Sequence, residues 1–265
     1  MRITCLFCLQ LALLAAGCAS SSPPTARGTN GAQPSAPAPV FNYAPTARLN
    51  LFDAARQRAV PVALFAPAAS LPGAAKRKLA LFSHGYGGQH TGYSFVAQTL
   101  AAHGYLVASV QHELPTDEPL PLTGNPREVR RPNWNRGVQN LLFVRRELLR
   151  THPELDSAHL LLAGHSNGGD TSVLFAEEHP ELVEKLISLD NRRLPLPRKP
   201  TPKVLSLRSS DQAADPGVLP APAEQAALGM TIVQLPATVH NDMWDGATPQ
   251  QRQEMEDHIS RFLEK

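Results

Sequence analysis

The chain has 265 residues, of which 42% are hydrophobic and 18% are charged, so its length suits one α/β or all-β domain with a large core. The 25 basic and 23 acidic side chains give a net charge of +2, which indicates neither nucleic acid nor an anionic membrane surface as a partner. The 25 prolines are about twice the usual share and cluster unevenly, which indicates a tail and long loops rather than a repeat.

The N-terminal segment has the pattern of an export signal. Arg2 precedes an apolar run from Ile3 to Gly17, which is too short to span a bilayer comfortably and is typical of a signal peptide. The run ends in Leu-Ala-Ala-Gly before Cys18, and small residues before a cysteine resemble a bacterial lipobox. We expect residues 1–17 to be a lipoprotein signal peptide and Cys18 to be the lipidation site; an ordinary secretory signal is the alternative.

The composition then changes towards a tether and a folded domain. All three cysteines lie in the first 18 residues, so the exported chain would carry no disulfide and no thiol nucleophile. Residues 18–46 are rich in Pro, Ala and Ser and predict a flexible tether, and residues 47–265 predict a single domain. By the lipoprotein resemblance, the protein would be anchored in the cell envelope. Ala19 rather than Asp after Cys18 would allow outer-membrane sorting if the cell is Gram-negative.

Strands and helices alternate along this domain. Apolar runs predict strands over 60–65, 78–83, 105–110, 158–163, 186–189, 204–207 and 231–235. Helical spacing is present over 93–100, 138–149 and 173–178, and a last helix follows a Thr-x-x-Gln capping box at Thr248. The alternation predicts an α/β fold with a mostly parallel sheet covered by helices on both faces. Pro61 favours an edge position for the first strand.

One segment interrupts the alternation. Residues 113–135 contain five prolines and no period. A loop of this length in a compact domain is often a lid or a binding loop. An ordered surface excursion is the alternative, and the sequence leaves both open.

The sequence Gly-His-Ser-Asn-Gly at 164–168 is a G-x-S-x-G motif directly after a predicted strand and before a helix. In that context the serine lies on a sharp turn with its hydroxyl above the sheet edge. Ser166 is therefore the candidate nucleophile. A serine hydroxyl needs a base to take its proton, and His240, a few residues after the last predicted strand, is the candidate base.

Two carboxylates compete as the acid that orients this histidine. Asp211 follows the predicted strand 204–207, and Asp190 ends the strand 186–189. Both would lie at the carboxyl edge of the sheet, and either gives the chain order Ser, Asp, His. A third element is His-Gly-Tyr-Gly-Gly at 84–88, whose backbone could hold an oxyanion. We expect the N–H groups of Tyr86 and Asn167 to be the donors.

In this order of motifs the chain resembles the α/β-hydrolase family over about residues 47–265. The resemblance implies Ser166 as nucleophile, His240 as base, and Tyr86 and Asn167 as oxyanion donors. Most members take the acid after the strand that ends here at Leu207, which favours Asp211. A subgroup similar to platelet-activating-factor acetylhydrolase takes it one strand earlier, which corresponds to Asp190. The early Pro-Val-Ala-Leu-Phe-Ala-Pro also resembles dienelactone-hydrolase-like proteins, although those have cysteine where Ser166 stands.

The sequence thus predicts a membrane-tethered serine hydrolase that cleaves small carboxylic esters through an acyl-enzyme. No cofactor is expected, and no metal, because His240 has no second histidine at ligand spacing. No nucleic-acid partner is expected either. The alternatives are a non-catalytic surface lipoprotein that uses the fold for binding, and a serine thioesterase or peptidase.

Overall fold

The computed structural model describes residues 44–67 and 76–265. The expected signal peptide, Cys18 and most of the expected tether lie outside these residues. Within them, the chain forms an eight-stranded sheet with the order β1-β2-β4-β3-β5-β6-β7-β8. The first two strands are antiparallel to their neighbours, and β3 to β8 run parallel to one another.

The predicted alternation of strands and helices is confirmed. The strands are β1 Ala47–Asp53, β2 Arg58–Phe65, β3 Arg77–Ser83, β4 Tyr105–Val110, β5 Leu155–His165, β6 Val183–Leu189, β7 Lys203–Arg208 and β8 Thr231–Gln234. The helices are α1 Ser94–Ala102, α2 Pro126–Val129, α3 Arg131–Thr151, α4 Ser166–Glu178, α5 Pro222–Ala227 and α6 Pro249–Leu263. The predicted capping box at the start of α6 is present, with Thr248 and Gln251 each bonding the other's backbone N–H.

Two hydrophobic clusters lie on the two faces of the sheet. One joins α3 and α4 to the sheet, and Trp134 is its largest fully buried side chain. The other joins α1 and α6 to the opposite face, with Phe95, Met255 and Phe262 among its members. Successive strand residues alternate between the clusters, as Leu81 and Phe82 do, because side chains along a strand point to opposite faces. The central strands are therefore apolar along their whole length.

The structure corrects the expectation that Pro61 marks an edge strand. β1, which the sequence patterns did not predict, pairs with β2 and covers that side. The pairing of β2 with β4 begins at Val62, so Pro61 lies just beyond the ladder. Its carbonyl accepts the Gln111 N–H at 2.9 Å. Because the β2–β4 ladder begins at the next residue, the missing N–H of Pro61 interrupts no hydrogen bond between these two strands.

The Pro-rich segment 113–135 is partly helical. Its last residues form α2 and the first turn of α3, which begins seven residues before the predicted apolar face at Val138. Pro132 lies in that first turn, where a missing N–H costs no helical bond. The preceding loop is fixed by a bidentate ion pair between Arg58 and Asp117, with N···O distances of 2.7 and 2.6 Å.

Within the described residues, no helix is both long and apolar enough to cross a bilayer.

Candidate active site

The G-x-S-x-G motif forms a tight strand-to-helix turn. β5 ends at His165 and α4 begins at Ser166, whose φ of +52° lies in the left-handed region. The two glycines are required by close backbone contact. A Cβ at Gly164 would overlap the backbone of Gly168, and a Cβ at Gly168 would overlap the carbonyl oxygens of Ser83 and His84. These contacts hold the serine above the sheet edge.

His240 lies beside this serine. The Nε2 atom of His240 is 2.8 Å from Ser166 Oγ, so the structure joins the two predicted residues across 74 positions of sequence. The histidine is in a short helical turn that follows β8 and is itself buried. The contact has the geometry that proton transfer from a serine to an imidazole requires.

The carboxylate on the other ring nitrogen belongs to Asp190. Its Oδ2 atom is 2.6 Å from His240 Nδ1, and the Asp190 side chain is fully buried. The sequence favoured Asp211 for this position, and the geometry corrects that preference. Asp211 is exposed, and its Oδ1 accepts the backbone N–H of His240 at 2.7 Å. Asp211 therefore fixes the main chain of the histidine, whereas Asp190 contacts its ring.

A turn of the backbone brings Asp190 to this place. β6 ends at Leu189, and Asp190 has a φ of +57°. Its carboxylate also accepts the Ser209 hydroxyl at 2.6 Å and lies 2.8 Å from the buried guanidinium of Arg208. Burial alone would raise the pKa of Asp190, but the contacts with His240, Arg208 and Ser209 hold it below its ordinary value. The acid is therefore an ionised carboxylate at neutral pH.

A second buried carboxylate supports the turn after Asp190. Asp170, one helical turn after Ser166 in α4, accepts the backbone N–H groups of Arg193 and Leu194 at 3.0 and 2.9 Å. Burial raises the pKa of Asp170 in spite of these bonds. The helix that begins at the serine thus also holds the loop that carries the acid.

The glycine turn, residues 84–88, lies against the start of α4. The turn is closed by the Gly88 N–H, which donates to the Gly85 carbonyl at 2.9 Å. His84 is buried beneath it and accepts the His112 N–H on Nε2 at 3.0 Å. Burial lowers the pKa of His84 to about 4, so the ring is neutral.

The two predicted oxyanion donors lie on these two elements, the glycine turn and the start of α4. Tyr86 lies on the glycine turn, and Asn167 is the second residue of α4, among the first four positions whose N–H groups have no acceptor within a helix. The Asn167 side chain is fixed on both sides: its Oδ1 accepts from Trp134 Nε1 at 2.8 Å, and its Nδ2 donates to Asn133 at 2.8 Å. The backbone at this position is therefore rigidly placed.

His165 connects the parts of the site. Its Nδ1 lies 2.8 Å from the Tyr93 hydroxyl, which also accepts the Gly85 N–H at 3.1 Å. Its Nε2 lies 3.1 Å from the His240 carbonyl oxygen, so the glycine turn and the histidine loop are bridged. Burial, together with the neighbouring His240, lowers the pKa of His165 to about 3. This ring is a neutral structural link, and it does not contact the Ser166 hydroxyl in the described structure.

Several of these supporting residues carry no sequence signal. Arg208 is the last residue of β7 and Ser209 follows it, whereas Tyr93 and Trp134 have the spacing of ordinary core residues. Only the contacts in the structure show that these residues support the site. Within residues 44–67 and 76–265, no group of three or more His, Cys, Asp or Glu side chains is arranged to hold a metal ion.

A cavity of about 610 Å³ opens beside Ser166. We call it the serine cavity; its walls include Gly85, Tyr86, Gly92, Ser166, His240 and Trp244. It is large enough for a small organic group and lies next to both the hydroxyl and the glycine turn.

Comparison with known proteins agrees with this fold. The family model described as serine aminopeptidase, S33, matches residues 74–189. A ferulic acid esterase from Streptomyces cinnamoneus superposes with a TM-score of 0.61 at 20% identity, over 86% of this chain and 91% of that one. The butyrate-bound esterase Est2 from Thermogutta terrifontis gives a TM-score of 0.56 at 12% identity, covering 78% and 89%. A dienelactone hydrolase from Anabaena variabilis gives 0.54 at 18% identity, covering 82% and 97%.

The protein is therefore an α/β-hydrolase in fold, as its motifs predicted. The similar structures include esterases and a dienelactone hydrolase, and at 12–20% identity the likeness is one of fold. What the chain itself does must be argued from its own site.

Proposed function

We propose that the protein is a serine hydrolase that cleaves carboxylic esters through an acyl-enzyme. The observation that carries the proposal is the continuous chain of contacts from Ser166 Oγ through His240 to Asp190, with distances of 2.8 and 2.6 Å. A binding protein would need none of these three groups aligned. The esterases among the similar structures support the same reaction class.

In the proposed reaction, Ser166 attacks the ester carbonyl while His240 Nε2 accepts its proton. Asp190 holds the proton on Nδ1, so that Nε2 is free to act as the base, and it stabilises the imidazolium that forms. The N–H groups of Tyr86 and Asn167 donate to the developing oxyanion. His240 then protonates the leaving alcohol, and water repeats the sequence to release the acid and restore Ser166.

The serine cavity favours an ester over a peptide N-terminus. An aminopeptidase must hold the ammonium group of its substrate, which an acidic side chain does best. The described residues that line the cavity include no Asp and no Glu. A neutral ester is therefore the better match, although the family model carries the name of a serine aminopeptidase.

The proposal is tested on protein that begins at residue 47. Hydrolysis of p-nitrophenyl acetate and butyrate is measured for the wild type and for Ser166→Ala, together with labelling by a fluorophosphonate probe and peptide mapping. We expect the probe on Ser166 and the loss of nearly all activity in the variant. Unchanged hydrolysis by Ser166→Ala would overturn the mechanism, and absence of both labelling and hydrolysis would favour the binding protein.

We further propose that the chain is exported and anchored by a lipid on Cys18. The support is the apolar run that ends in small residues before that cysteine. Metabolic labelling with a radioactive fatty acid should mark the full-length chain but not Cys18→Ser, and the variant should leave the membrane fraction. Equal labelling of both proteins would refute lipidation at this residue.

A further inference from the structure

Two exposed aromatic rings in the serine cavity have no part in the reaction proposed above. The side chains of Tyr86 and Trp244 are 43% and 47% exposed, and both line the cavity. Among the described residues, only five large hydrophobic side chains are exposed, so two of the five fall on one site. Exposed apolar side chains gathered at one cavity indicate a surface that binds a ligand.

Both rings are held in place although they are exposed. The Tyr86 hydroxyl accepts the backbone N–H of Leu120 at 2.9 Å, which ties the ring to the loop before α2. The Trp244 ring lies against Gly246, where a Cβ would come within 2.9 Å of its indole nitrogen. It also faces Gly92, where a Cβ would lie 3.8 Å from the ring. Rings that are already fixed lose little conformational freedom when a ligand binds.

The rest of the described cavity wall combines bare backbone with uncharged polar side chains, among them Gln89, Thr91 and Asn241. Glycines at 85, 87, 88 and 92 contribute backbone without side chains. The described lining residues include no Lys, Arg, Asp or Glu. A neutral group with a planar apolar face fits these walls better than a charged head group, which would find no side chain of opposite charge among the described lining residues.

We propose that the serine cavity binds an aromatic ring of the ester substrate, with Trp244 as the stacking residue and Tyr86 on the same wall. The substrate class is thus an aryl ester or the ester of an aromatic acid. This inference rests on the proposed function, since the ring must be part of a substrate whose carbonyl reaches Ser166. Offset stacking between aromatic rings adds to the free energy gained from burying apolar surface. The cavity would therefore bind an aromatic ring more tightly than a saturated ring of similar size.

The test compares matched ester pairs in three proteins. Values of kcat/KM are measured for phenyl and cyclohexyl acetate, and for ethyl benzoate and ethyl cyclohexanecarboxylate. The proteins are the wild type, Trp244→Leu and Trp244→Phe. Differences in intrinsic reactivity cancel when the aromatic-to-saturated ratio of each variant is divided by that of the wild type.

We expect this ratio to fall about 2- to 10-fold in Trp244→Leu for at least one pair, and to stay near the wild-type value in Trp244→Phe. Circular dichroism and urea unfolding check that each variant is folded. Leu122→Ala, an exposed change outside the cavity, is the matched surface control and should leave all ratios unchanged. Unchanged ratios in Trp244→Leu for both pairs would overturn the inference.

A binding measurement separates this inference from the proposed function. Calorimetry on Ser166→Ala measures the Kd of ethyl benzoate and of ethyl cyclohexanecarboxylate without turnover. Tighter binding of the aromatic ester, reduced when Trp244→Leu is added, supports the aromatic site even if no ester is hydrolysed. If hydrolysis depends on Ser166 but neither binding nor rate prefers the aromatic ester over the saturated one, the aromatic site is refuted and the proposed hydrolase activity is retained.

Discussion

Replacing Asp190 by Asn tests which carboxylate serves the histidine. The change is nearly isosteric, but it removes the charge that faces the His240 ring at 2.6 Å. An Asn side chain can present its amide N–H to Nδ1, which forces the proton to Nε2 and leaves no base next to Ser166. By comparison with the serine triad template we expect kcat to fall on the order of 10⁴-fold, or about 5 kcal/mol in activation free energy.

The same substitution should also cost stability. Asp190 is fully buried and lies 2.8 Å from Arg208, which is itself buried. Neutralising one partner removes the nearest carboxylate from the buried guanidinium, and losses of about 3–5 kcal/mol are usual for such buried pairs. Urea unfolding of Asp190→Asn should show this loss, and the kcat assay must be run well below the shifted unfolding midpoint.

Asp211→Asn is the matched control. Asn keeps an oxygen that can accept the His240 N–H, and Asp211 is exposed. We therefore expect less than about a tenfold loss of kcat and less than about 1 kcal/mol of stability. The two variants are compared by steady-state hydrolysis of p-nitrophenyl butyrate, with circular dichroism to confirm folding. If Asp211→Asn lost as much kcat as Asp190→Asn, the assignment of the acid from geometry would be refuted.

Three further outcomes follow from the supporting contacts. Gly168→Ala should destabilise by about 1–3 kcal/mol and lower kcat, because its Cβ would push into the glycine turn. Gly217→Ala, at a φ of +81° but with open space for its Cβ and far from the glycine turn in sequence, should cost some stability from backbone strain and leave kcat unchanged. Tyr93→Phe removes the hydroxyl that accepts the Gly85 N–H, and chemical denaturation should show that the free energy of unfolding falls by about 1–3 kcal/mol. An unchanged free energy of unfolding would contradict a stabilising role for this hydroxyl. Stability should also decrease as the pH is lowered from 6.5 to 5, because burial lowers the pKa values of three histidines: His84, His112 and His165. In that range the unfolded chain binds protons on these histidines and the folded chain does not. Glu113, whose pKa burial raises to about 7, and Asp170, whose pKa burial also raises, oppose the trend in part. We expect a net loss of stability as the pH is lowered. Urea midpoints that stay constant or rise over this range would contradict that reasoning.

The contact between Ser166 and His240 was predictable because its signals are local. Ser166 stands in a motif whose strand and helix are visible in the sequence, and His240 follows the last strand as a base must. The choice between Asp190 and Asp211 as the partner of the His240 ring was not predictable, because the two residues follow adjacent strands and differ only in where the chain turns next. The left-handed backbone at Asp190 directs its carboxylate to the His240 ring, and no residue type in the sequence predicts that turn. β1 was missed because few of its side chains are buried, which leaves a weak apolar pattern.

The two left-handed residues of the site have a cost that bears on how the protein could be improved. Among the described residues, three non-glycine residues have positive φ, and two of them are Ser166 and Asp190. Such backbone costs on the order of 1–3 kcal/mol per residue, which the surrounding fold must offset. Glycine at either position would relax the main chain while deleting the functional group. A library screened only for heat tolerance would therefore tend to enrich inactive proteins, so thermostability and turnover have to be selected together.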